Sequence, residues 1–99
     1  IAKTQSLLRT LSKGVLSVDP VTAHRFSSRH RADIEASTVC GCFYCFKTFP
    51  PSEVTEWMEE EGGGETALCP KCGIDSVIGD GSGFAVDQSM LVEMNAYWF

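Results

Sequence analysis

Two Cys-x-x-Cys pairs constrain this chain more than any other feature. Cys42 and Cys45 form the first pair, Cys69 and Cys72 the second, and 23 residues separate the two. A Cys-x-x-Cys turn brings two thiolates roughly 3.5–4 Å apart, and two such turns complete a tetrahedral four-sulfur site. The spacing therefore predicts a metal site whose ligands are Cys42, Cys45, Cys69 and Cys72.

Two other interpretations of these cysteines are buried thiols and a pair of disulfides. Five cysteines leave one unpaired, the sequence shows no secretory signal, and adjacent Cys-x-x-Cys pairs make poor structural staples. A metal is therefore favoured. Tetrahedral thiolate coordination suits zinc or iron, and a structural role favours Zn²⁺ over iron.

Residues around the second pair suit a metal turn. Pro70 stiffens the turn, and Gly73 can adopt the positive φ that lets backbone N–H groups point at sulfur. Four thiolates around a dication leave two negative charges in excess, which Lys71 would partly offset. Cys40 is the remaining cysteine. It is either a small buried hydrophobic residue or a redox-sensitive thiol able to displace a ligand.

The length of 99 residues allows one domain, which buries only ~60–65% of the surface exposed in the unfolded chain. Such a domain often needs additional stabilisation by a metal ion or by disulfides. The 43% hydrophobic content argues against full disorder. No apolar run approaches the ~20 residues of a membrane-spanning helix, so an integral membrane protein is excluded. The expected location is the cytoplasm.

The net charge of −5 conceals a segregated distribution. Residues 1–31 carry six basic residues and one acid, whereas residues 32–99 carry two basic residues and twelve acids. The basic segment either docks onto the acidic one or reaches for an acidic partner, and docking is favoured. Nucleic acid is disfavoured as the main partner because the acidic part would repel phosphate.

The first eighteen residues have two interpretations. Leu7, Leu8 and Leu11 form a helical stripe that Gly14 would end, whereas the composition without acids is also that of an organellar transit peptide. The helix is favoured. A chain that begins at Ile1 also suggests a processed or trimmed fragment.

The predicted fold is a single α+β domain over residues 1–99, with a small metal-binding core of two Cys-x-x-Cys hairpins and flanking helices. Its parts are a basic helical segment (1–36), a metal-binding ribbon (37–80) with an inserted helix (52–61), and a C-terminal helix (86–99).

Local signals predict the elements within these parts. Asp19 and Pro20 begin a helix that continues to about His30, and Asp87 caps the last helix. Val54, Trp57 and Met58 have helical spacing, as do Leu91, Met94 and Trp98. The expected strands are Thr38–Val39, Thr66–Leu68 and Ile74–Ile78, of which the last two should form a hairpin around the second cysteine pair.

Other polar residues do not assemble a catalytic constellation. His24 and His30 lie six residues apart and cannot form an i, i+4 metal pair, so each is expected at the surface or satisfied in the core. Asp75 and Asp80 are expected to be solvated or to cap turns, and the Gly79–Gly83 loop lacks a phosphate-binding lysine. We therefore expect no enzyme activity.

Many of the aromatic residues follow the cysteines or end the chain. Packing around the metal lobe explains most of them, but the trio at residues 97–99 could instead form an exposed protein-binding patch.

The cysteine segments also resemble a known pattern. Cys69-Pro70-Lys71-Cys72-Gly73 resembles the second knuckle of zinc ribbons and rubredoxins, and Cys42-Phe43-Tyr44-Cys45 resembles the first. The resemblance covers residues 38–80 and implies the same four ligands. Phe46 departs from it, since rubredoxin-like knuckles prefer glycine there. The whole chain is similar to small bacterial cytoplasmic proteins whose function is unassigned.

These observations favour a zinc-stabilised protein-interaction or regulatory module with another protein as its partner. One alternative is a nucleic-acid-binding zinc ribbon acting through residues 1–31. Another is a rubredoxin-like iron electron carrier.

Overall fold

The computed structural model describes residues 19–99. The helix expected around Leu7, Leu8 and Leu11, and the transit-peptide alternative, lie outside the described residues.

A three-stranded antiparallel sheet forms the centre of the described fold. Its strands are β1 (Cys40–Cys42), β2 (Thr48–Phe49) and β5 (Val77–Gly79), in the order β2-β1-β5. The register pairs Cys40 with Gly79 and Cys42 with Val77. Strands β3 (Trp57–Glu59) and β4 (Glu65–Ala67) form a separate antiparallel hairpin. Together with the three α-helices found within residues 19–99, these sheets confirm the α+β class.

The first helix, α1 (Pro20–His24), begins as the sequence predicts. The Asp19 carboxylate accepts a hydrogen bond from the Val21 N–H at 3.1 Å, and Pro20 occupies the first helical position.

The prediction that this helix continues to His30 was wrong. A 3₁₀ turn at Arg25–Ser27 follows α1, and a second helix, α2, covers Arg31–Glu35. Arg29 between them has φ +48°, and the His30 N–H donates to the Glu65 carbonyl of β4. The His30 N–H therefore bonds to the hairpin instead of to a carbonyl in the preceding turn of a continuous helix.

The inserted helix expected over residues 52–61 does not form. A single 3₁₀ turn covers Pro51–Glu53, and β3 then pairs with β4 across a loop whose Gly62, Gly63 and Gly64 all have positive φ. The glycines allow a tight reversal, so the backbone groups of β3 bond to β4 rather than along a helix.

The expected hairpin of Thr66–Leu68 with Ile74–Ile78 was also wrong in its pairing. Strand β4 pairs with β3, while β5 covers only Val77–Gly79 and pairs with β1. The strand expected at Thr38–Val39 begins instead at Cys40.

The last helix, α3, covers Gln88–Trp98, and the Asp87 carboxylate accepts the Met90 N–H at 2.9 Å. Leu91 and Met94 are fully buried, as their spacing predicts, whereas Trp98 remains 38% exposed. The buried face of α3 packs on Phe43 and Ile78, so the helix covers the sheet beside the first cysteine pair. None of the helices within residues 19–99 has the length and apolarity needed to cross a bilayer.

Candidate metal centre

The fold brings both cysteine pairs to one place. The Sγ atoms of Cys42 and Cys72 are 3.7 Å apart, as are those of Cys45 and Cys69, and all four sulfurs lie within 4.8 Å of one another. A disulfide would need about 2.05 Å, so all are free thiols. A tetrahedron with 2.3 Å metal–sulfur bonds has edges of about 3.8 Å. The cluster therefore has the size needed to hold a metal ion.

The two cysteine turns have equivalent backbones. The Tyr44 N–H points at Cys42 Sγ (3.4 Å), and the Lys71 N–H points at Cys69 Sγ (3.3 Å). Such N–H···S contacts stabilise negative charge on sulfur and hold each ligand in place.

Phe46 occupies the position at which the resemblance favours glycine, and the structure shows how the turn accommodates it. Phe46 has φ +66° and Gly73 has φ +83°. The Phe46 N–H donates to the Cys42 carbonyl (2.8 Å) as the Gly73 N–H donates to the Cys69 carbonyl (2.9 Å). The first turn therefore keeps the knuckle geometry, and Phe46 adopts a conformation that costs a non-glycine residue roughly 1–2 kcal/mol.

The pKa values of three of these thiols depend on the balance between burial and hydrogen bonds. Burial raises the pKa of Cys42, and it also raises the pKa of Cys72. Burial acts in the same direction on Cys69, but hydrogen bonds from the Lys71 and Cys72 N–H groups and from the Cys45 and Cys72 thiols together outweigh it and lower the pKa of that thiol. Four adjacent thiolates repel one another, so a bound cation is what would allow all of them to ionise together.

Lys71 contributes its main chain more directly than its charge. Its ammonium group lies 3.0 Å from a Glu53 carboxylate oxygen, in a half-exposed ion pair. The positive charge that we expected to offset the sulfur site is therefore shared with Glu53.

Cys40 lies beside the cluster without joining it. It is fully buried, and burial raises the pKa of its thiol to about 11. A buried, protonated thiol is a poor nucleophile, which favours the interpretation as a small hydrophobic core residue over a redox-sensitive one.

The two histidines lie apart from the metal cluster. His30 is buried, with Nδ1 2.7 Å from the Phe26 carbonyl oxygen and Nε2 accepting the Ala67 N–H at 3.0 Å. Both ring nitrogens thus have hydrogen-bond partners in the core, which is one of the two positions that we expected for each histidine. His24 is exposed, and its ring stacks on Trp98 with centroids 4.1 Å apart.

The two aspartates have different roles. The Asp80 carboxylate accepts the Thr38 N–H at 2.8 Å and so ties the β5 end of the sheet to the start of β1. Asp75 is exposed three residues after Cys72 and lines a cleft with Phe43 and Trp98. The sequence did not predict this cleft, although it identified three of the aromatic residues that line it, which are Phe43, Trp98 and Phe99.

The basic residues near α2 dock onto the acidic half of the chain. Arg29 donates to the carbonyls of Gly63 (2.9 Å) and Glu61 (2.8 Å). Arg31 pairs with Glu65 at 3.1 Å and lies 4.6 Å from the Trp57 ring centroid. Within the described residues, the basic segment thus contacts the β3–β4 hairpin, as favoured from the charge distribution.

Comparison with known proteins adds no relative. No protein-family model matches the chain, no curated protein matches its sequence, and no solved structure matches its fold. The four-cysteine cluster is compatible with a zinc-ribbon-like site.

Proposed function

We propose that the chain is a zinc-binding domain in which Cys42, Cys45, Cys69 and Cys72 form a structural four-thiolate site. The single observation that carries the proposal is the convergence of the four Sγ atoms within 4.8 Å. Four protein thiolates saturate a tetrahedral ion and leave no open position for water. The site therefore supports stability rather than hydrolysis, and we propose a protein-interaction or regulatory module rather than an enzyme.

The metal assignment is tested by elemental analysis of the purified protein and two matched variants. We expect one zinc per chain in the wild type, loss of zinc in Cys72→Ser, and full zinc content in Cys40→Ser. Cys40→Ser is the matched control because it makes the same chemical change at a cysteine outside the cluster. A coloured protein containing iron, or a Cys72→Ser variant with undiminished zinc, would contradict the assignment.

The exposed aromatic surface supports a protein partner. Tyr44, Tyr97 and Phe99 are 48%, 57% and 61% exposed, and they lie close to Trp98 and the first cysteine turn. Contiguous exposed aromatic residues are typical of interfaces, where they supply much of the binding energy.

The partner proposal is tested by point substitution rather than truncation. Removal of α3 would take the buried Leu91 and Met94 with it and unfold the domain. Tyr97→Ala and Phe99→Ala instead change exposed side chains only. We expect partners captured by the wild-type chain to be lost with these variants and retained with Val92→Ala, a control at an exposed α3 position. Equal capture by all three variants would argue against this surface.

A further inference from the structure

A cleft of about 270 Å³ lies between the start of the described chain, the first cysteine turn and the end of α3. Four rings line it: those of His24, Phe43, Trp98 and Phe99. Asp75 supplies a carboxylate, and no lysine or arginine is among the lining residues. The remaining lining comes from serines, which are Ser27, Ser28 and Ser76.

The rings form a concave aromatic corner rather than a flat stack. The ring planes of His24 and Phe43 meet at 61° with centroids 6.3 Å apart, and those of Phe43 and Phe99 meet at 48° with centroids 5.9 Å apart. Hydrogen bonding holds the corner in place, because the Trp98 indole N–H donates to the Pro20 carbonyl at 3.0 Å. A ligand in the cleft can therefore lie against one ring and touch the edge or face of another.

The electrostatics of the cleft favour a cation. Aromatic faces carry negative quadrupole charge that attracts a cation within about 6 Å of the ring centroid. The Asp75 carboxylate adds a full negative charge, and residues 19–99 together carry thirteen acidic and five basic residues. A phosphate-bearing ligand would be repelled by the same field.

We infer that this cleft binds the guanidinium group of an arginine side chain on a partner protein. Guanidinium is planar and stacks on aromatic rings, and its N–H edge donates to a carboxylate and to hydroxyl oxygens. The cleft offers all three: rings, the Asp75 carboxylate and serine hydroxyls. A lysine ammonium lacks the planar face, and a quaternary ammonium has no N–H group to donate to the serines and Asp75.

The surroundings indicate a protein as the source of the cation. The cleft is open to solvent and has room for a side-chain end group, and the exposed Tyr44 ring continues its aromatic lining through contact with Phe99, at 5.1 Å between centroids. A free small cation would leave that ring uncovered, whereas a polypeptide around the arginine would cover it. The inference rests on the proposed interaction role and names the chemistry of the partner.

The test uses the zinc-loaded full chain and capped amino acids, followed by amide and side-chain NMR shifts. We expect Nα-acetyl-arginine-methylamide to shift the signals of Ser27, Ser76 and Trp98. The citrulline analogue keeps the planar shape without the charge and should bind roughly tenfold more weakly, since it loses both the cation–π and the carboxylate terms. The capped lysine analogue should also bind more weakly than arginine.

Two cleft variants and one control locate the site. Asp75→Asn should weaken arginine binding about two- to fivefold, as expected for an exposed ion pair. Phe99→Ala should also weaken binding without affecting the core, because Phe99 is exposed. Glu56→Gln removes the same charge at an exposed position outside the cleft lining and should leave binding unchanged.

Several results would overturn the inference. These are no shifts with arginine, equal affinity for arginine and citrulline or for arginine and lysine, and equal affinity in Asp75→Asn and the wild type. Choline binding as strongly as the capped arginine would identify a site for a free small cation instead. Zinc content is measured for every sample, so failure of the metal proposal is distinguished from failure of this one.

Discussion

His30 shows how a single buried side chain joins distant parts of the chain. Its Nδ1–H donates to the Phe26 carbonyl, and its Nε2 accepts the Ala67 N–H of β4, so the neutral ring satisfies two backbone groups. Protonation at Nε2 would place its N–H group opposite the Ala67 N–H, so that two donors face each other without an acceptor. Burial accordingly lowers the pKa of His30 from its usual 6.5.

The lowered pKa of His30 makes stability depend on pH in a defined direction. The unfolded state takes up a proton near pH 6.5 while the folded state does not, so stability is full above about pH 6.5. It is lost as the pH falls from there toward the folded pKa. We expect the free energy of unfolding, measured in denaturant, to decrease between pH 7 and 5.5.

Acid also releases metal from thiolates, so a variant must separate the two effects. His30→Gln can still accept the Ala67 N–H but has no proton to gain, and it should show a shallower decrease over the same pH range. It should be less stable at pH 7 by about 1 kcal/mol through loss of one hydrogen bond. An identical pH slope in both proteins would show that His30 does not carry the effect.

Phe46 and Arg29 share a positive φ but differ in what their side chains do. Phe46→Gly relieves the strain of a left-handed backbone at a non-glycine residue. Glycine also gives the unfolded chain more conformational freedom, which offsets part of this gain. The free energy of unfolding should therefore stay equal or rise by up to about 1 kcal/mol. Arg29→Gly relieves similar strain but removes two hydrogen bonds to the β3–β4 loop, and should destabilise. Thermal unfolding distinguishes the two. A lower Tm for Phe46→Gly than for Arg29→Gly would contradict this account.

At the scale of elements, β1 and α3 pack through a glycine. A Cβ at Gly41 would lie 2.9 Å from Val86 Cγ1 and 3.1 Å from both Leu91 Cδ atoms. The absence of a side chain at Gly41 thus lets α3 approach the strand that carries Cys42.

Gly41→Ala should force α3 away from the sheet and cost about 1–3 kcal/mol, which is the range for overpacked cores. Chemical denaturation measures the loss. Adding Val86→Ala removes the nearest obstructing methyl group and should restore part of the stability, because the two sites are in contact. Strictly additive destabilisation in the double variant would show that the contact with Val86 is not the cause.

The elements differ in how far local sequence predicted them. The caps of α1 and α3 were predicted because a carboxylate bonding the first-turn N–H groups acts over two or three residues. The prediction of a helix over residues 52–61 was wrong, although Val54, Trp57 and Met58 have helical spacing. Trp57 there packs under the Arg31 guanidinium and β3 pairs with β4, and both partners lie outside residues 52–61.

At the scale of the whole molecule, the four cysteines tie together segments that are far apart in sequence. Cys42 ends the central strand, whereas Cys69 and Cys72 lie in the loop between the two sheets. A domain of this size has a small core, and a zinc ion bound by four thiolates would supply ~10 kcal/mol or more of apparent binding energy that is also folding energy. This compares with a total stability of about 5–15 kcal/mol for typical domains.

Removal of the metal should therefore unfold the chain. We expect a strong chelator at neutral pH to abolish the cooperative thermal transition, and stoichiometric zinc to restore it, as followed by circular dichroism. Cys40→Ser should respond to chelator and zinc as the wild type does. An unchanged transition after complete removal of metal would show that the hydrophobic core suffices without it.

Local sequence patterns were enough to predict the four-cysteine cluster, the helix starts at Pro20 and Gln88, and the positive φ of Gly73. Each follows from a rule that spans a few residues: the reach of a Cys-x-x-Cys turn, a capping side chain, or the conformational freedom of glycine.

The pairing of β5 with β1, the strand at residues 57–59 and the hydrogen bond between His30 and Ala67 follow instead from contacts made outside each segment. The same holds for the position of Asp75 in the aromatic cleft. These choices depend on which distant backbone groups and surfaces become available as the chain closes on itself, and hydrophobic spacing within one segment carries no information about them.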